Sequence, residues 1–107
     1  MSKIEKLAPK AAIEMGVSSV RPFLGRSDGA GMLAGISTFQ PGSVDLDLTY
    51  DEGVFMLEGE IEIDSDGETH HVGPGEFLWM PRGRKIVYRA ATPCRLLYVI
   101  PGSIPPN

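Results

Sequence analysis

The chain has 107 residues, 42% of them hydrophobic, with 13 glycines, 9 prolines and a formal net charge of −4. That length suits one core, and the glycine and proline content excludes a helical bundle in favour of a chain that turns often. The acidic balance without a basic tail argues against nucleic-acid binding, and no apolar run approaches the ~20 residues of a membrane span.

In chain order, residues 1–17 are expected to form an arm, or a short helix over Pro9–Met15 with Pro9 in its first turn and Gly16 as its stop. The arm would pack on the rest of the domain or on a partner subunit. The opening Met1-Ser2-Lys3-Ile4-Glu5-Lys6 lacks the apolar region of a signal peptide, so a reducing cytoplasm is the expected location. From there the pattern is β throughout. Met32–Phe39 reads as a strand ended by Pro41-Gly42, and Val44–Thr49 alternates strictly. Val54–Leu57 is followed by a turn at Glu58-Gly59, and Glu60–Ile63 alternates again. Asp66-Gly67 is a tight-hairpin signal, with Thr69–Val72 as the return strand. Pro74-Gly75 leads into Phe77–Met80, Pro81-Arg82-Gly83 into Ile86–Tyr88, and Leu96–Ile100 closes the series. Many short strands at even spacing predict an all-β antiparallel double-stranded barrel of jelly-roll type. The only cysteine, Cys94, heads the last apolar run; it excludes an internal disulfide or a thiolate metal cluster and reads as a small core residue.

Charge is unevenly placed. Asp45 to Glu68 holds ten acids and no Lys or Arg, whereas Arg82 to Arg95 holds five bases and no acid. Such runs are ordinarily solvated faces on neighbouring strands. The sharper alternative is that some of the acids point inward. Arg82, Arg84 and Lys85 are either exposed turn charges or the rim of a barrel mouth that attracts an anion.

Two motifs carry a family resemblance. Glu52 is followed by six residues and Gly59, and Gly75 by five residues and Pro81-Arg82-Gly83. Spanning about residues 42–90, they resemble the two motifs of cupins, and the whole chain, 1–107, reads as one cupin domain. Tyr50-Asp51-Glu52, Leu57-Glu58-Gly59-Glu60, Gly67-Glu68-Thr69, Pro81-Arg82-Gly83 and Leu97-Tyr98-Val99 narrow the resemblance to the ethanolamine-utilisation cupins, the EutQ-like group. Metal-binding cupins carry histidines at positions that align here with Asp45, Asp47 and Ile86. The resemblance therefore implies a cupin without the usual iron or manganese site, as in the EutQ-like group, and no cofactor is expected. It also implies, as one option, acetate kinase activity, although no glycine-lysine loop for phosphoryl transfer is present. Small cupins often pair, and a homodimer is expected.

Asp45 and Asp47 share one face of their strand and Leu46 and Leu48 the other. Alternation alone would bury the leucines; the motif alignment instead sends both aspartates inward beside Glu52. Three lumen carboxylates cannot all stay ionised without a cation or donors. A hard cation such as Mg²⁺ or Ca²⁺, one acid of raised pKa, or Arg, Lys or Tyr partners would each resolve the conflict. The candidate catalytic groups are Glu52, Asp47, Asp45 and Tyr88, with Glu52 expected to titrate high. The candidate ligand wall is Tyr50, Trp79, Phe77, Ile86 and His70, several of which are equally core packing. His70 and His71 are adjacent in a strand, face opposite ways and cannot readily share a metal. Three functions remain open: a metal-independent cupin binding a small polar metabolite, a lyase, isomerase or hydrolase using barrel carboxylates, and a non-catalytic accessory protein of an ethanolamine-type operon.

Overall fold

Apolar residues recurring at every second position give each strand one buried face, and two such sheets close on each other. The computed structural model describes residues 3–102. Its strands are β1 (Ile13–Met15), β2 (Ser18–Leu24), β3 (Met32–Phe39), β4 (Gly42–Asp47), β5 (Glu52–Glu58), β6 (Ile61–Ser65), β7 (Glu68–Val72), β8 (Phe77–Met80), β9 (Lys85–Ala90) and β10 (Cys94–Pro101). A six-stranded sheet runs β1-β2-β3-β10-β5-β8 and a four-stranded sheet runs β4-β9-β6-β7. Every pairing is antiparallel. From β3 onward the chain passes back and forth between the sheets, which is the jelly-roll barrel that the strand spacing predicted.

The core sits between the inner faces. Val54 and Met56 of β5, Leu96 of β10, Ile61 and Ile63 of β6 and Ile86 of β9 are almost wholly buried. Each such side chain contributes about 1.5–3 kcal/mol of transfer free energy. Cys94 is buried and unpaired, as expected of a small core residue. The β6–β7 hairpin turns on Asp66 and Gly67 at φ 52° and 79°, the double positive φ of a type I′ turn. The motif glycine Gly59 holds φ 74°, and a Cβ there would stand 2.8 Å from Cys94 Cβ and from the Pro93 carbonyl. Only glycine suits that backbone and that space.

Opposite charges do meet across neighbouring strands. Arg89 of β9 bonds Asp64 and lies 3.2 Å from Glu62, both on β6. Arg95 reaches Glu58 at 3.2 Å, and Arg84 reaches Asp66 at 2.9 Å. These are the solvated complementary faces of the first charge reading.

The N-terminal expectation divides. No helix forms over Pro9–Met15; residues 4–12 have no regular structure and Ile13–Met15 becomes β1. Gly16 (φ 64°) is part of the tight β1–β2 turn, with Met15 opposite Ser18. Edge pairing supplies the backbone partners a helix would have supplied. The arm reading holds for Lys10: its amide donates to the Pro22 carbonyl at 2.7 Å and its ammonium to the Phe23 carbonyl at 2.8 Å. β2 carries Pro22, a residue disfavoured inside strands; β1 pairing has ended at Val20 before it, and the β2–β3 register shifts between Pro22 and Leu24.

Candidate functional site

The inner faces do not fill the barrel completely. A cavity of about 190 Å³ remains between β4 and the β1-β2-β3-β10 part of the larger sheet. Its walls are mostly apolar, with Val44 and Leu46 from β4, Phe39 from β3, and Leu96 and Ile100 from β10. Its polar lining comprises Glu52, three tyrosines (Tyr50, Tyr88 and Tyr98) and two serines (Ser18 and Ser37).

Glu52 opens β5 and is only 7% exposed. Tyr88 of β9, 5% exposed, donates its hydroxyl to Glu52 Oε1 at 3.2 Å. Burial pushes the Glu52 carboxyl up to about 7, against the Tyr88 hydrogen bond, which favours the charged form. The Tyr88 phenol is pushed well above its usual range by burial first and by the Glu52 charge second. Tyr50 and Tyr98 are raised for the same two reasons, and Arg26 partly offsets the effect at Tyr50. The result is a carboxyl that exchanges its proton near neutrality, surrounded by phenols that keep theirs.

Tyr98 reaches this group because β3 offers no side chain beneath it. Gly35 pairs with Tyr98 across β3 and β10, and a Cβ on Gly35 would lie 2.5 Å from the Tyr98 hydroxyl. Glycine at that point lets the phenol lie across the strand.

The structure separates the sequence candidates into three groups. Glu52, Tyr88 and Tyr50 meet in the lumen. Asp45 and Asp47 do not: both are exposed on the outer face of β4, and Asp47 sits 3.9 Å from Lys85. Alternation was the correct guide, and Val44 and Leu46 hold the inward positions that the motif alignment had given to the aspartates. Phe77 and Trp79 also point outward, 55% and 48% exposed, because Leu78 and Met80 take the inner face of β8. Phe77 is therefore no lumen wall; it lies over Gly53 on the outer face.

His70, Trp79 and Ile86 instead line a second cleft of about 200 Å³, where the edge strands β7 and β8 face each other. Ile86 is a buried core residue, and His70 stands 3.3 Å from Glu68 with its side chain 42% exposed. Ser65 Oγ, on the same cleft, is buried without a hydrogen-bond partner among the described residues. Sequence reasoning did not single out Tyr98, Ser37 or Ser18. Tyr98 was legible, since alternation in Leu96–Ile100 puts it on the face of Leu96 and Ile100.

The histidine-ligated ion common among cupins does not fit this donor set. The lumen offers one carboxylate with phenols and hydroxyls, and His71 lies outside it, 3.2 Å from Glu60 on the surface. Among the described residues no three His, Cys, Asp or Glu side chains cluster to hold a metal.

A jelly-roll barrel closed over an inward glutamate, with the two glycine motifs at its turns, defines a cupin. The family described as ethanolamine utilisation protein EutQ matches residues 4–103, and the chain belongs to that family. It is 35% identical over 72 residues to the acetate kinase EutQ of Salmonella typhimurium, a match covering 67% of this chain and 31% of that protein. The chain thus spans about a third of that relative's length. The solved structure described as ethanolamine utilization protein Q from Salmonella typhimurium superposes with a TM-score of 0.76 at 29% identity, covering 81% of this chain and 71% of that one. The Clostridium difficile EutQ structure gives a TM-score of 0.77 at 22% identity, covering 92% and 81%, and supports the fold alone. No helix among the described residues is long and apolar enough to cross a membrane.

Proposed function

We propose that this chain binds a small metabolite in the barrel lumen, in the cytoplasm, at a site built on Glu52 and Tyr88 rather than on a histidine-held metal. One observation carries the reading: a carboxyl 7% exposed, bonded to a buried tyrosine, faces a cavity of about 190 Å³. Burying an ionisable group without an ionic partner costs stability, and a site for recognition is a reason to keep one. The membership in a family described as ethanolamine utilisation proteins supports a metabolic setting.

A second reading follows from the same carboxyl. A group titrating at about 7 is matched to proton transfer at neutral pH, so Glu52 would serve as general acid or base if the bound molecule reacts. The acetate kinase named among the relatives is a longer protein, and among the described residues no Lys, Arg or His lines this lumen to hold a transferred phosphoryl group. An accessory role without turnover is the third reading and needs only the binding site. A thermal-shift screen of small metabolites tests the proposal. Compounds that raise the melting temperature of the wild type, but neither Glu52→Gln nor Tyr88→Phe, support a lumen site. Compounds that stabilise all three proteins equally place binding elsewhere.

We further propose a homodimer formed on the outer face of the six-stranded sheet. Phe77 and Trp79 stand exposed there, continuous with the half-buried Phe55, Leu57, Leu97 and Val99. A contiguous apolar sheet face of this kind is ordinarily covered by a second surface.

A further inference from the structure

The lining of the lumen also constrains the charge of its occupant. Resting on the reading of the lumen as a metabolite site, we propose that it selects a small organic cation, an alkylammonium ion, seated against the Glu52 carboxylate among the surrounding phenols. Three features of the cavity converge on that class.

The first is sign. Among the described residues Glu52 is the only lining group that ionises near neutral pH, and no Lys, Arg or His lines the cavity. An anion would meet a carboxylate with only hydroxyl donors to offset it, whereas an ammonium meets its counter-ion. The groups that face Glu52 are phenols from three places: Tyr88 on β9, Tyr98 on β10 and Tyr50 just ahead of β5. Arg26 acts on Tyr50 and is not part of the lining. The second is aromatic content. Tyr50, Tyr88, Tyr98 and Phe39 all line the cavity, with the Phe39 and Tyr88 rings 5.4 Å apart. The electron-rich faces of such rings attract cations, most strongly where water is excluded. The third is size. At about 190 Å³ the cavity is smaller than the sites that take drug-sized ligands, which favours a small amine. Val44, Leu46, Leu96 and Ile100 suit its alkyl part.

Binding of this kind moves a proton. With the lumen free of ligand, Glu52 is largely protonated below about pH 7. An ammonium beside it favours the carboxylate, so the carboxyl proton leaves to solvent as the cation arrives. Affinity then falls about tenfold for each pH unit below 7 and levels off above it.

The test uses propylammonium chloride, with 1-propanol and propionate as neutral and anionic probes of similar size. Binding is read from the methyl resonances of Leu46 and Leu96, and proton release is read by pH-stat at pH 6.5. Propylammonium is expected to shift the lumen methyls most and to release about three-quarters of a proton per bound molecule, given a group titrating at about 7. Glu52→Gln should weaken binding at least tenfold and abolish the release. The comparison of the three probes and the proton release, both read on the wild type, decide the assignment if Glu52→Gln fails to fold. If propanol or propionate shifts the lumen methyls as strongly as propylammonium, the cation assignment is overturned while the lumen site stands. Propylammonium binding without proton release, or the absence of any shift with it, also overturns the assignment; the wider metabolite screen decides the lumen site separately.

Discussion

Replacing Glu52 with Gln should change how the stability of the fold depends on pH. An unfolded glutamate titrates at 4.5, and the folded barrel pushes Glu52 up to about 7, chiefly by burial. The folded state therefore binds the proton more tightly than the unfolded one. The stabilisation from a neutral Glu52 is fully present below pH 4.5 and is lost as pH rises through 7. At about 1.4 kcal/mol for each pH unit of difference, the loss between those limits is about 3 kcal/mol, which is large against a total of about 5–15 kcal/mol. Gln keeps the shape and still accepts the Tyr88 hydrogen bond, but carries no proton equilibrium. Urea denaturation of wild type and Glu52→Gln from pH 4.5 to 8 isolates the effect, because the other titrating groups are common to both. The variant should gain about 3 kcal/mol relative to wild type across that range. Parallel stability profiles would refute the claim that Glu52 is buried as a proton-exchanging group.

Three other tests rest on the same geometry. Gly35→Ala sets a Cβ 2.5 Å from the Tyr98 hydroxyl and 2.7 Å from the Arg21 carbonyl, so thermal melts should show a loss of about 1–3 kcal/mol. Adding Tyr98→Phe should recover part of that loss, and an unchanged melting temperature for Gly35→Ala would show that Tyr98 does not lie across β3. Asp45→Asn and Asp47→Asn, both on the outer face, should alter stability by no more than about 0.5 kcal/mol and leave lumen binding unchanged. A tenfold loss of affinity in either would return the aspartates to the site. Light scattering should give a dimer mass for the wild type and a monomer mass for Phe77→Ser/Trp79→Ser; a monomeric wild type over a wide concentration range would contradict the dimer.

The parts of this barrel that were legible in its sequence are those fixed by local chemistry. Asp66-Gly67 specified its hairpin, and Phe77–Met80 had the predicted bounds because turns flank it on both sides. Glu52 and Tyr88 were readable as partners because the motif placed one and alternation with Ile86 placed the other. The aspartates were misplaced where two signals disagreed. Counting back from Glu52 crosses residues 48–51, which lie outside the strands, and a slip of one residue there exchanges the two faces of β4. Within β4 itself the alternation favoured burying the leucines. The outward turn of Phe77 and Trp79 was hidden for another reason: β8 is apolar on both faces, so periodicity carries no information about which side is inner. β1 depends on pairing with β2 and β2 on pairing with β3, contacts that neither Pro22 nor the helix-compatible residues 9–15 announce locally.

The central claim is that the lumen beside Glu52, rather than the cleft between β7 and β8, receives the ligand. Methyl-resolved NMR of the full chain distinguishes the two sites directly, since Leu46, Leu96 and Ile100 line the lumen while Ile63, Leu78 and Ile86 line the cleft. Metabolites that bind should shift the first set and lose that effect in Glu52→Gln. Shifts confined to the second set, or unchanged by Glu52→Gln, would contradict the account.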